Sequence, residues 1–223
     1  MRIAVVVPAL DEADSLPAVL GDLPEVWRIV VVDNGSVDDT ARVARSLGAE
    51  VVSAPRRGYG TAVQAGINHL RGDPPDVLVI LDADHADPAE RLAELVEPIA
   101  RDEADLVQTD RSRTAEPGAL TPVQRFGNGL ATALVAAVSG ARYRDLGPFR
   151  AIRWTSLLAL RMEDPTWGWN VEMALKAHHH GLRVREVPLP YRSRTRGQSK
   201  ISGSVRGAAR AGLRILWAVN HYR

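Results

Sequence analysis

Four times within the first hundred residues, a short run rich in β-branched apolar residues gives way to a polar turn and then to a segment with helical periodicity. Units of this kind, each roughly 25 residues long, build a parallel sheet with right-handed crossovers and helices on both faces. The strands are expected at Ile3–Val7, Arg28–Val32, Val51–Val52 and Val77–Leu81. Pro8 is expected to stop the first at the sheet edge. Ser36, followed three residues later by Asp39, predicts a capping box for a helix that runs to Leu47 and closes at Gly48. Val77-Leu78-Val79-Ile80-Leu81 is apolar at every position, as a strand buried on both faces must be, so it belongs in the middle of the sheet. With 223 residues, 45% of them hydrophobic, the chain has room for one domain with a substantial core. The expected fold is α/β: a single domain, mostly a parallel twisted sheet.

The central run ends on Asp82-Ala83-Asp84. In an extended segment two carboxylates spaced i, i+2 point the same way, just past the carboxyl end of the strand, where open α/β sheets bind ligands. Hard oxygen ligands that converge in this way suit Mg²⁺ or Mn²⁺ shared with phosphates; the plainer alternative is that they cap the helix beginning near Pro88. Asp33, at the end of the second strand, falls on the same rim. Arg57-Gly58-Tyr59-Gly60 precedes a helix and offers a cation and backbone N–H groups to a phosphate. Neither Gly-x-Gly-x-x-Gly after the first strand nor Gly-x-x-x-x-Gly-Lys-Ser/Thr is present, so the dinucleotide and P-loop readings lose their main support.

With no cysteine, disulfides, thiolate zinc and a thiol nucleophile are excluded. A net charge of +1 argues against general nucleic-acid binding, yet Arg183 to Arg214 holds nine basic residues against the single acid Glu186. That stretch is expected to face an anionic partner. Within it, Arg194-Thr195-Arg196-Gly197-Gln198-Ser199-Lys200 reads as a mobile basic loop, followed by an amphipathic helix from Val205 to Val219. Pro122 to Val138 predicts a helix rich in small apolar residues, either packed in the core or docked on a membrane or partner. Acids at Asp11, Glu12 and Asp14 interrupt any signal-peptide core, and the nine-residue apolar run Leu130–Val138 is too short to span a bilayer. The expectation is a cytoplasmic protein, at most peripheral at the inner face of the membrane. His178-His179-His180 sits at a helix end, where consecutive side chains diverge by about 100° and cannot share one ion.

The ordered set Pro8-Ala9-Leu10-Asp11-Glu12, Asp33-Asn34-Gly35-Ser36, Arg57-Gly58-Tyr59-Gly60, Asp82-Ala83-Asp84 and Asp145-Leu146-Gly147-Pro148-Phe149-Arg150 resembles glycosyltransferase family 2. Within that family the chain is similar to the dolichyl- and polyprenyl-phosphate sugar transferases, and Gly168–Met173 and Gly197–Lys200 extend the match. The resemblance implies a GT-A fold, a nucleotide-diphosphate sugar donor of UDP-glucose or GDP-mannose type, a divalent metal and inversion at the anomeric carbon. Residues 1–110 would form the donor half and residues 111–223 the acceptor half. By position, Pro8, Leu10, Glu12 and Asp33 would hold base and ribose. Asp82 and Asp84 would hold ribose and metal, with Ala83 between them. Lys200, Arg196 and Arg57 would reach the diphosphate. Relatives carry a glutamine at the position of Ala86, for which His85 or Asp87 is the expected substitute, and many have asparagine at Asp11. Many also carry C-terminal transmembrane helices, which this chain is not expected to have.

The acceptor decides what further chemistry is needed. An alcohol requires a base, with Asp145 the first choice and Glu172 the second. A lipid or small-molecule phosphate is already largely ionised near neutral pH; then Asp145 would orient it, and Arg150 and Arg194 would bind it. The structural alternatives are a turn at Asp145 and a first-turn helix charge at Glu172. Two other readings stand beside the transferase: a sugar-nucleotide or nucleotidyl transferase, and a non-catalytic nucleotide-binding module. Oligomeric state is left open by the sequence.

Overall fold

A computed structural model describes residues 1–193, 214 and 216–222. Seven strands form one sheet: β1 (Ile3–Ala9), β2 (Arg28–Asp33), β3 (Glu50–Ser53), β4 (Val77–Ile80), β5 (Leu106–Asp110), β6 (Arg150–Arg153) and β7 (Val184–Pro188). Their order across the sheet is β3-β2-β1-β4-β6-β5-β7. All neighbours run parallel except β6, which is antiparallel to both β4 and β5. The strand from the second half of the chain is thus inserted between two strands of the first half.

Alternation along each strand sorts side chains between two cores. Val5, Val7, Val79 and Leu81 face one layer, which is closed by Leu16 and Val19 of α1 (Leu16–Gly21), Ala44 of α2 (Thr40–Ser46), and Leu92, Leu95 and Ile99 of α4 (Leu92–Ala100). Ala4, Val6, Leu78 and Ile80 face the other, against Val63 and Ile67 of α3 (Tyr59–Leu70), Leu157 of α6 (Trp154–Leu160), and Trp169 and Met173 of α7 (Trp169–His179). All four residues of β4 are buried, as a run without polar positions requires. A third cluster joins α5 (Pro122–Ser139) to α7 and to a helix at 216–222 through Ala131, Val135, Val171, Leu175, Ala218 and Val219.

Two local expectations are corrected. Strand β1 runs through Pro8 to Ala9 in the interior of the sheet. Val6 O accepts from Leu81 N, so by alternation the Pro8 nitrogen also faces β4, but beyond the last residue of that strand, where no ladder bond is lost. The Ser36/Asp39 capping box does not form: α2 starts at Thr40, with no side-chain cap. Ser36 instead receives a hydrogen bond from Asp11 N at 3.0 Å and ties the first rim loop to the second. The capping box that does form, Thr121 with Gln124, opens α5.

Candidate active site

The carboxyl ends of β1, β2 and β4 open onto a cleft of about 370 Å³. Pro8, Leu10, Glu12, Arg57, Asp82, Ala83 and Asp84, all expected at a donor site, line it. Asp33 does not: its Oδ1 accepts from Ser36 N at 2.9 Å, shaping the turn, and Asn34 takes the place on the wall. Asn34 is 6% exposed and organises the neighbouring loop. Its Nδ2 donates to Ala54 O (2.7 Å) and Arg56 O (3.0 Å), and its Oδ1 accepts from Gly58 N (2.8 Å). The motif quoted for Asp33 contained this residue, but sequence gave no sign of which of the two faced the cleft.

Arg57-Gly58-Tyr59-Gly60 forms the entry to α3, whose N-terminus faces the cleft and favours anions. Both glycines are required by close approach rather than by flexibility. A Cβ on Gly60 would lie 1.8 Å from Asp164 O, and one on Gly58, at φ +150°, 2.2 Å from Pro165 O. The loop pressed against them carries Thr166 and Trp167 into the cleft wall. Neither belongs to a motif that sequence reasoning could single out. Beneath the wall the Tyr59 hydroxyl is buried; that burial, reinforced by the charge of Asp82, pushes its pKa up.

Strand β4 ends at Ile80, so Asp82 and Asp84 stand in the turn after it rather than in extended chain, and still both line the cleft. Asp84 Oδ1 accepts from Ala86 N at 3.1 Å. His85, at φ +60°, does not line the cleft; its Nε2 pairs with Asp22 at 2.9 Å, and its Nδ1 is buried without a hydrogen-bond partner. Asp87 is 2% exposed, and neither of its oxygens has a hydrogen-bond partner. Burial pushes its carboxyl well above the usual range; Arg111 opposes this, but Asp82, Asp84 and Asp145 add to it. Among the described residues no three Asp, Glu or His side chains cluster closely enough to hold an ion. Two carboxylates on an open cleft fit a Mg²⁺-like cation that takes its remaining ligands from water and substrate phosphates.

Outside the cleft, the other expected acids are committed to structure. Asp145, 1% exposed, accepts from Arg111 N (2.8 Å) and Nε (2.7 Å) at Oδ2 and from Nη2 (2.9 Å) at Oδ1. Burial works against the Arg111 charge, but these bonds to Asp145 outweigh it and hold the guanidinium above its ordinary pKa. Glu172 is fully buried; it accepts from Glu163 N, Asp164 N and Lys176 Nζ, each at 2.7 Å. Each oxygen of both carboxylates thus already accepts at least one hydrogen bond from within the protein. Arg150 is likewise fully buried, donating from Nε and Nη2 to Gly147 O, so it braces the Asp145–Phe149 turn instead of presenting a guanidinium to a ligand. Arg194, Arg196 and Lys200 lie outside the described residues, as does most of the helix expected from Val205.

The family model described as Glycosyl transferase family 2 matches residues 4–134. The chain is 40% identical over 206 residues to an uncharacterized glycosyltransferase of Mycobacterium tuberculosis, covering 92% of each. It is 33% identical to the dolichyl-phosphate hexose transferase of Haloferax volcanii (93% of this chain, 90% of that one). It is 31% identical to the undecaprenyl-phosphate mannosyltransferase of Micrococcus luteus (97% and 96%). Among solved structures, glucosyl-3-phosphoglycerate synthase of M. tuberculosis, in complex with Mn²⁺, UDP-glucose and phosphoglyceric acid, shares the fold. The TM-score is 0.76 at 22% identity, over 98% of this chain and 80% of that one.

Proposed function

The chain belongs to glycosyltransferase family 2, and from that premise we propose that it is a metal-dependent inverting transferase moving a hexose from a nucleotide-diphosphate sugar to a polyprenyl phosphate. One observation supports a phosphate acceptor above all: Asp145 and Glu172, the acids expected to deprotonate an alcohol, each have their oxygens taken by buried donors. A phosphate monoester carries a nucleophilic oxygen near neutral pH without help. The dolichyl- and undecaprenyl-phosphate transferases among the relatives support the lipid carrier.

In this reading Pro8 and Leu10 flank the base, with Asn34 shaping the wall between them and the Arg57 loop. Glu12 and Asp82 face the ribose. Arg57 and the α3 N-terminus hold the diphosphate with charge-assisted hydrogen bonds. A divalent cation at Asp82 and Asp84 would act as a Lewis acid on the departing nucleoside diphosphate. The acceptor phosphate oxygen forms the new bond to the anomeric carbon as the bond to the diphosphate oxygen breaks on the opposite face, and no protein group need carry a proton. Arg196 and Lys200 remain the candidates for binding the donor phosphates, and Arg194 for the acceptor phosphate. Phe126 on α5, 73% exposed, and Trp217 near the chain end, 42% exposed, support the peripheral membrane contact that a lipid acceptor requires.

The test is transfer of radiolabelled hexose from UDP- and GDP-sugars to polyprenyl phosphate, polyprenol and 3-phosphoglycerate in parallel. Product on polyprenyl phosphate alone is expected. Product on the free alcohol would contradict the phosphate reading, and product on phosphoglycerate alone would move the acceptor to a soluble phosphate.

A further inference from the structure

Behind the cleft lies a second charged cluster, which the transfer step does not use. Asp164 is 1% exposed. Its Oδ1 accepts from Thr166 N (2.7 Å) and Oγ1 (2.8 Å), and its Oδ2 from Arg214 Nη2 (2.7 Å). Arg214 Nε donates to Thr166 Oγ1 at 2.9 Å, while the guanidinium lies over the Trp217 ring at 3.7 Å. A second route reaches the same loop. The Tyr222 ring faces Lys176 Nζ at 5.1 Å; Lys176 pairs with Glu172, and Glu172 accepts the backbone N–H groups of Glu163 and Asp164. Arg214 and Tyr222 both belong to the C-terminal helical segment, so that segment grips the 163–167 loop twice. On its far side the loop is sealed to α3: Gly60 N donates to Thr166 O at 3.3 Å and Thr61 N to Pro165 O at 3.0 Å.

We propose that Asp164, Glu172, Lys176 and Arg214 are positioning residues that hold Thr166 and Trp167 as a wall of the donor cleft, so that the C-terminal helix sets donor affinity without contributing a described residue to the cleft. The proposal rests on reading that cleft as the donor site. Two acids face two bases, so the cluster is balanced, and removing either base leaves a buried carboxylate without its counter-charge. The contacts form one continuous chain from Trp217 to Thr166, which is the physical requirement for the two ends to feel each other. It also gives Glu172 a use other than taking a proton: its oxygens hold the backbone from which the wall projects.

Calorimetric titration of UDP, GDP and dTDP with Mn²⁺ into wild-type, Glu172→Gln, Arg214→Gln, Arg214→Lys and double-variant protein tests this, with the transfer rate at saturating donor measured beside it. Each single Gln variant is expected to weaken the nucleotide that the wild type binds by about 10-fold, and the double variant by less than the product, since the two act on one loop. The rate at saturation should change less than about threefold, and Arg214→Lys should recover part of the affinity. Arg214 has a 26% exposed side chain, so its Gln variant serves as the test if Glu172→Gln does not fold. Unchanged affinity in a folded Arg214→Gln protein would overturn the network. So would a Glu172→Gln variant with intact affinity and a rate lowered about 100-fold, the signature of a catalytic base. A wild type that binds none of the three nucleotides would instead overturn the donor reading, and this proposal with it.

Discussion

Two pairs of acids, Asp82 with Asp84 and Asp145 with Glu172, are alike in the sequence and opposite in the fold. The first pair stands in the turn after β4 and lines the open cleft. Neither member of the second pair lines it, and each carboxylate is held by three donors from the protein itself. Asp82 and Asp84 line the cleft, where a ligand can meet them, whereas the oxygens of Asp145 and Glu172 bind donors that hold the surrounding chain. The same residue type therefore predicts activity loss in one pair and stability loss in the other.

The largest expected effect is in the second pair. Asp145→Ala leaves the Arg111 guanidinium, with a 12% exposed side chain, without its partner, and should cost about 3–5 kcal/mol of stability, read from denaturant unfolding. If that variant unfolds like wild type but loses transfer, the contrast between the pairs collapses and Asp145 regains a catalytic role. Next, Asp84→Ala should lower transfer on the order of 10²–10³-fold, the scale of losing one group that stabilises leaving-group charge, with the melting temperature little changed. Initial rates and a melt on the same sample decide it.

Smaller again, and of opposite sign, is Asp87→Asn. The buried carboxyl is raised above its unfolded value, so the folded state keeps a proton that the unfolded chain releases. Stability then falls as pH rises from the unfolded pKa near 3.8 toward the folded one. Replacing the acid by an amide should stabilise the metal-free protein at pH 8, by a margin that shrinks toward pH 4. A melt series in chelator across that range checks the sign; a gain that grows toward low pH would place the charge elsewhere.

What sequence could reveal was whatever a local pattern encodes. The all-apolar run at Val77 fixed β4 in the sheet centre, and the strand–helix alternation placed the rim that gathers Pro8, Leu10, Arg57, Asp82 and Asp84. It could not show partners that arrive from far along the chain. Arg111 reaches Asp145 across 34 residues, and Arg214 reaches Asp164 across 50. Without Arg111, Asp145 looks like an available acid; Glu172 and Arg150 are bound by near neighbours, Lys176 four residues on and Gly147 three residues back, but only once the chain has folded to bury them. Ser36 misled for a related reason: a local cap was outcompeted by the Asp11 backbone N–H from the neighbouring rim loop. Thr166 and Trp167 were invisible because their place depends on two glycines about a hundred residues earlier, Gly58 and Gly60.

The most direct test of the account is the thermal stability of wild-type and Asp84→Ala protein with UDP, GDP and dTDP, each with Mn²⁺ or Mg²⁺ and again with chelator. At about 100 times its dissociation constant, the cognate nucleotide should add about 2.7 kcal/mol to the wild type. That gain should vanish in chelator and in the variant. Equal stabilisation with and without metal, or in both proteins, would contradict a donor site built on Asp82 and Asp84.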